Sequence, residues 1–269
     1  MPKNMWYNYL IGGVLGLLLF ISLNPIFLIP ISRLGYIKDI NSFIGVNLSF
    51  FPLIISILVI IKFYHKRKLV NFINRENSIN TKRFLRGFVI WFILQSTTLI
   101  YNLIFFKNQL SFNFNPSKFL IFLLLSISLT PIQVASEEFL FRGYLIDFLR
   151  SFSKNKLFII LASSLLFALP HLKNPEVKNS TFTFFLIYLT MAITFSYITV
   201  KYRGLEYSFG VHLANNLFAI NIVNYPDSPL PSSPIFLLSN GIAPLPTLLQ
   251  TLLFSALLVI IIKKLEKNN

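Results

Sequence analysis

The stretch from Phe119 to Leu149, FLIFLLLSISLTPIQVASEEFLFRGYLIDFL, decides how the rest of the chain is read. Its first half is apolar enough for a bilayer interior, where a helix needs about 20 mainly apolar residues to cross. Its second half places Glu137, Glu138 and Arg142 close together in the same hydrophobic setting. An acidic side chain at mid-membrane costs about 2.5 to 3.5 kcal/mol, so these charges require partners or a use. The stretch is also too long for one straight crossing. Pro131 interrupts its ladder of backbone hydrogen bonds, which predicts a kink or two helices at that point.

The same apolar pattern recurs along the chain. Eight spans are expected: Tyr9 to Ile31, Phe43 to Ile61, Phe84 to Phe106, Phe119 to about Leu149, Leu157 to Leu172, Phe182 to Val200, Leu205 to Val223 and Leu245 to Ile262. With 55% hydrophobic and 12% charged residues in a chain of 269, the composition lies far from the roughly one-quarter charged residues of a soluble domain. The fold class is therefore all-α: a polytopic membrane protein of about eight transmembrane helices with a kinked fourth span. Residues 1–269 read as one membrane domain, with no soluble domain. The first span is long for a signal-peptide core and lacks a small-residue cleavage site, so it reads as a retained helix. No internal repeat is visible.

The net charge of +15 does not indicate a nucleic-acid partner, because the basic residues fall in short loops between apolar spans. With both termini inside, 17 Lys and Arg residues sort to the inner segments and six to the outer ones. The positive-inside rule then predicts cytoplasmic N- and C-termini. The segment from Lys62 to Arg86 holds eight of the inner charges and is suited to anionic lipid headgroups. The absence of cysteine excludes disulfides, thiolate metal sites and thiol catalysis.

Helix geometry separates the two glutamates. Glu138 and Arg142 stand at i and i+4 and share a face, whereas Glu137 is rotated by about 100° and lacks that partner. An unpaired carboxylate in a dry setting is the kind of group that serves as a general base. Of three histidines, His65 lies in the basic loop and needs no special explanation, while His171 and His212 lie in spans. His171 follows Phe167 by four residues, and Pro170 suggests a bend or end of the helix beside it. His212 precedes Asn216 by four residues and shares its face. Any one of these residues is compatible with a purely structural role, such as a buried charge clamp or a hydrogen-bonded core histidine.

In order along the chain, EEFLFR fits E-E-x-x-x-R, FALPH fits F-x-x-x-H and HLANN fits H-x-x-x-N. This ordered set resembles the CPBP family of intramembrane endopeptidases, which includes the type II CAAX prenyl endopeptidases and the Abi bacteriocin-processing and self-immunity proteins. The resemblance covers about Phe119 to Ile222, which makes 119–222 the expected catalytic core. The eight-span plan matches the family's CAAX endopeptidase members, and Pro170 within the second motif is a departure. The resemblance implies that Glu137 activates water with help from His171. It further implies that His212 and Asn216 stabilise the oxyanion, and that Glu138 and Arg142 shape and charge-balance the site.

The expected partners are membrane lipid and a membrane-associated peptide or protein substrate: a CAAX-like tail, a bacteriocin precursor or a membrane regulator. No cofactor is expected, and the active site is expected toward the cytoplasmic side. Three other readings compete. Zinc on Glu137, His171 and His212 would satisfy a three-ligand catalytic site, although there is no H-E-x-x-H helix and Asn216 is a poor zinc ligand. A proton-coupled transporter would use the same intramembrane charges as a path. A non-catalytic immunity protein would use them as a peptide clamp.

Overall fold

The computed structural model of the protein describes residues 5–32, 38–105 and 109–267. Helices dominate: α1 (Trp6–Ser32), α2 (Lys38–Leu48), α3 (Phe50–Val59), α4 (Leu69–Ile73), α5 (Thr81–Phe105), α6 (Pro116–Glu138), α7 (Leu145–Arg150), α8 (Lys156–His171), α9 (Thr181–Tyr202), α10 (Glu206–Asn221) and α11 (Pro244–Lys267). Among the described residues, six helical stretches are long and apolar enough to cross a membrane: Trp6–Phe27, Ile40–Tyr64, Thr81–Phe105, Pro116–Arg150, Thr181–Tyr202 and Pro244–Lys267. The other two expected spans coincide with α8 and α10, of 16 residues each. At 1.5 Å per residue these reach about 24 Å, short of the roughly 30 Å hydrocarbon core. The two short helices are the ones that carry His171 and His212. Of the residues used to orient the chain, Lys3, Arg33 and Lys107 lie outside the described ones.

Helix starts follow local chemistry. Asn115 accepts a hydrogen bond from the Lys118 amide at 3.1 Å ahead of α6, with Pro116 in the first turn. Asn155 does the same for Leu157 and Phe158 at 2.9 and 3.2 Å ahead of α8. Each cap satisfies backbone donors that a helix start leaves unpaired, and a proline in the first turn lacks only a donor that has no helical partner.

The expected break at Pro131 is not where the long span changes character. Helix α6 runs through Pro131 to Glu138, and a π-helical segment over Phe139–Tyr144 then joins it to α7. Wider turns of this kind are often found at functional sites, and this one begins directly after the paired glutamates.

Helix α10 lies at the centre because two glycines let it approach α5 closely. A Cβ on Gly87 would sit 2.7 Å from the Tyr207 carbonyl oxygen, and Gly210 faces the Phe84 carbonyl in the same way. Small residues permit such backbone contact between membrane helices. Around this crossing Trp91, Leu94, Tyr207, Val211 and Ala214 pack with Leu258 and Ile262 of α11. Apolar side chains such as Leu10, Val14, Leu17 and Ile21 on α1, and Ile93 and Ile100 on α5, stay exposed, as lipid-facing surfaces should.

Two features depart from the sequence reading. The connection after α10, where the all-α reading expected no strand, contributes to a small sheet of β1 (Leu110–Phe112), β2 (Val223–Asn224) and β3 (Phe236–Leu238) in the order β1-β3-β2. Strands β1 and β3 pair antiparallel with Leu110 opposite Leu238, and β2 and β3 run parallel. His65, read as needing no special explanation in the basic loop, is fully buried. Its Nε2 lies 3.2 Å from the Tyr144 hydroxyl, which itself donates to the Tyr9 carbonyl at 2.6 Å, so His65 helps fasten α1 to the π-helical segment.

Candidate active site

Glu137 and Glu138 end α6, and both are buried. Glu138 Oε1 lies 3.4 Å from Arg142 Nη1, so the i,i+4 pair is present. The same oxygen also accepts from His212 Nδ1 at 2.9 Å, a second partner 74 residues away in the chain. Glu138 therefore joins the π-helical segment to α10, a wider role than the single ion pair expected of it.

Arg142 is held between aromatic faces. Its guanidinium lies 3.9 Å from the Phe167 ring centre and 5.2 Å from that of Phe195, an arrangement in which ring quadrupoles offset part of the cost of burying the cation. Phe167 also serves His171: its carbonyl oxygen lies 2.8 Å from His171 Nδ1, and the two rings are 4.4 Å apart. The F-x-x-x-H spacing thus has a physical basis, since one residue packs the arginine with its ring and orients the histidine with its backbone. Pro170 does not interrupt this, because α8 continues through it and ends at His171.

The partners at Nδ1 determine what each histidine offers at Nε2. A carbonyl or carboxylate oxygen only accepts, so Nδ1 of both His171 and His212 carries a proton. In a neutral ring Nε2 is then an acceptor. Both Nε2 atoms face Glu137 Oε2, at 3.9 Å for His171 and 3.8 Å for His212. That oxygen is buried and has no hydrogen-bond partner among the described residues.

Asn216 is buried one turn beyond His212. Its Oδ1 accepts from Asn215 Nδ2 at 3.3 Å, which leaves its own Nδ2 as a donor. Asn215 Oδ1 in turn accepts from Trp91 Nε1 and Gln95 Nε2, both at 3.1 Å, and Gln95 Oε1 accepts from Gln250 at 3.2 Å. This relay from α11 through α5 escaped the sequence reading. Its signal was a glutamine, Gln95 and Gln250, in each of two mainly apolar spans. Glu137, Glu138, Arg142, His171 and His212 form one connected set, whereas Asn216 shares α10 with it and has no direct bond to it among the described residues.

A further carboxylate was also missed. The Tyr188 ring lies 4.8 Å from that of His171, and its hydroxyl accepts from Asn174 at 2.8 Å and donates to Glu176 Oε1. Burial pushes the Glu176 carboxyl above its ordinary range. Among the described residues no group of three or more His, Cys, Asp or Glu side chains is arranged to hold a metal ion.

Comparison with known proteins bears on this segment. Residues 116–218 match the family model described as type II CAAX prenyl endopeptidase, Rce1-like. The uncharacterized protein YyaK of Bacillus subtilis (strain 168) is 31% identical over 183 residues, a match covering 67% of this chain and 61% of YyaK. The chain thus matches less than two thirds of that relative's length. No solved structure matches. The part of this integral membrane protein that carries all three motifs, residues 116–218, is the part that matches the Rce1-like type II CAAX prenyl endopeptidases, consistent with a membrane protease of the CPBP family.

Proposed function

We propose that the protein is an intramembrane endopeptidase that hydrolyses a peptide bond with water activated by Glu137 and His171. The observation that carries this reading is the convergence of two histidine Nε2 atoms on the Glu137 carboxylate at 3.8 and 3.9 Å. These separations are too long for a direct hydrogen bond and suit a bridge through one water. Glu137 takes one proton from that water, while His171 Nε2 accepts a hydrogen bond from the other. The water oxygen attacks the peptide carbonyl carbon. The oxyanion receives hydrogen bonds from Asn216 Nδ2 and from His212, whose Nε2 donates when the ring is an imidazolium balanced by Glu138. The carbon–nitrogen bond then breaks and the proton on Glu137 passes to the leaving amine. Preorganised donors of this kind are commonly the largest contribution to such a reaction. Substrates are membrane-associated peptides or proteins, with prenylated CAAX tails favoured by the family match and bacteriocin precursors or membrane regulators as further candidates.

One observation favours a second reading. With both Nδ1 atoms bonded to acceptors, the two Nε2 lone pairs and Glu137 Oε2 have the chemistry of zinc ligands, though not the arrangement of a formed site among the described residues, and zinc-bound histidines commonly donate their other ring proton in this way. A bound zinc would supply Lewis acidity at that point. Purified protein is to be reconstituted with a farnesylated CAAX peptide and scored by mass spectrometry for cleavage and by a pH-sensitive dye for proton flux. The metal content is to be measured before and after chelation. Cleavage that persists after chelation supports the proposal. Cleavage lost with stoichiometric zinc and restored by its return supports the zinc reading, and flux without cleavage supports a transporter.

A further inference from the structure

A second concave site lies outside the motif residues. A cavity of about 610 Å³ is bounded by the segment after the second span, the end of α7 and the turn after α9. Its lining includes Lys66, Arg67, Lys68, Arg75, Arg150 and Arg203, with Asp147 as its one carboxylate. Asp147 is buried and receives Arg67 at 2.6 Å, Arg75, and Arg150 at 3.8 Å. Lys66, Lys68 and Arg203 make no salt bridge among the described residues. The cavity therefore holds far more positive charge than its own carboxylate balances.

The backbone supplies an independent observation. Among the described residues, those other than glycine with positive φ are Lys66 (54°), Asn77 (60°) and Arg203 (58°), and all three line this cavity. Side-chain-bearing residues seldom adopt that region. Helix ends that do so usually place glycine there, yet α9 is capped by Arg203 with Gly204 immediately after it. Such residues persist where surrounding structure enforces them, and they cluster at ligand sites.

The enforcing structure is visible. Arg75 N donates to the Arg203 carbonyl and Leu205 N to that of Ile73, each at 3.0 Å. Buried Glu206 accepts from Asn74 Nδ2 at 2.5 Å and from the Asn80 amide at 3.0 Å. The basic segment is thus a fixed wall and not only a solvated loop. Three apolar stretches end at Tyr64, Arg150 and Tyr202, beside or within the lining, which sets the cavity at the depth of lipid headgroups.

We propose that this cavity binds a phosphate group, presented by a phospholipid headgroup or by a soluble phosphate. Convergent guanidinium and ammonium groups match phosphate oxygens in charge and geometry, and a prebuilt wall lowers the ordering cost of binding.

The test uses the full-length protein in neutral detergent, titrated with a short-chain phosphatidylglycerol and, separately, with inorganic phosphate. The readout is the thermal midpoint against sodium chloride at equal ionic strength. A saturable rise with both probes supports the proposal through the shared group. A rise with the lipid alone supports it with a headgroup as the source, and a rise with phosphate alone supports it with a soluble source. Lys68→Gln and Arg203→Gly should each weaken the effective probe by about ten-fold, the loss expected for one charge-assisted hydrogen bond. The probe-free midpoint should hold, since glycine suits the backbone at 203 and neither side chain is in a salt bridge. A midpoint indifferent to both probes, or a shift retained in full by the double variant, would overturn the proposal.

Discussion

Glu137 and Glu138 are chain neighbours with different surroundings, and their amide variants should differ accordingly. Glu137→Gln keeps shape and hydrogen bonding but cannot take a proton, so peptide cleavage should fall by at least about 100-fold, the lower end of general-base effects, with little change in thermal midpoint. Glu138→Gln removes the charge that both Arg142 and His212 face. Breaking a buried pair costs roughly 3 to 5 kcal/mol, so its main signature should be a lowered midpoint. Cleavage assays and detergent melts on both variants check this, and wild-type cleavage by Glu137→Gln would refute the assigned base. Glu176 gives a pH prediction. Its folded pKa is raised by burial, so its contribution to stability is greatest below the ordinary carboxylate range of about 4 and is lost as pH rises through the folded value. Glu176→Gln should flatten the fall of the thermal midpoint over that rise, and an unchanged pH profile would count against a desolvated carboxylate. The paired glutamates were legible in the sequence because i,i+4 spacing is local. The bond from Glu138 to His212 was not, because it joins separate helices.

At the scale of elements, the crossing of α5 and α10 sets the position of His212. Gly87 has the Tyr207 carbonyl where a Cβ would go, so Gly87→Val must push the helices apart. The expected loss is about 1 to 3 kcal/mol, the usual range for overpacking, read as a lowered midpoint, and a variant as stable as wild type would refute the close crossing. The relay into Asn216 is a positioning device, and its test is Asn215→Leu. Turnover should drop while KM stays near wild type, since the change disturbs the orientation of a donor and not the binding surface. Equal loss in a variant that also melts early would indicate a structural role alone. Pro131 and Pro170 show why proline was an incomplete guide to these elements: both sit inside helices. The long span instead changes geometry at Phe139–Tyr144, a stretch with no proline, whose single glycine, Gly143, lies near its end and does not mark where the wider turn begins.

For the whole molecule, the sorting of Lys and Arg predicts that the basic segment 62–86 and the connection 224–244 lie on opposite sides of the membrane. The chain has no cysteine, so Ser78→Cys and Asn240→Cys, both at exposed positions, can be labelled singly in sealed vesicles. Each should react from a different side, and labelling of both from the same side would reverse the topology. The sequence by itself determined the membrane class, the positions of the helices and the motif residues, because each depends on hydropathy and spacing within a short segment. Its count of crossings went further than length and composition support, because α8 and α10 carry polar groups within short helices. Only the tertiary structure decided which groups meet: two histidines on Glu137, Arg142 between Phe167 and Phe195, and six cations around one cavity. The physical reason is that these meetings depend on how closely helices pass, and that distance is set by glycines, buried amides and turn geometry from distant parts of the chain acting together.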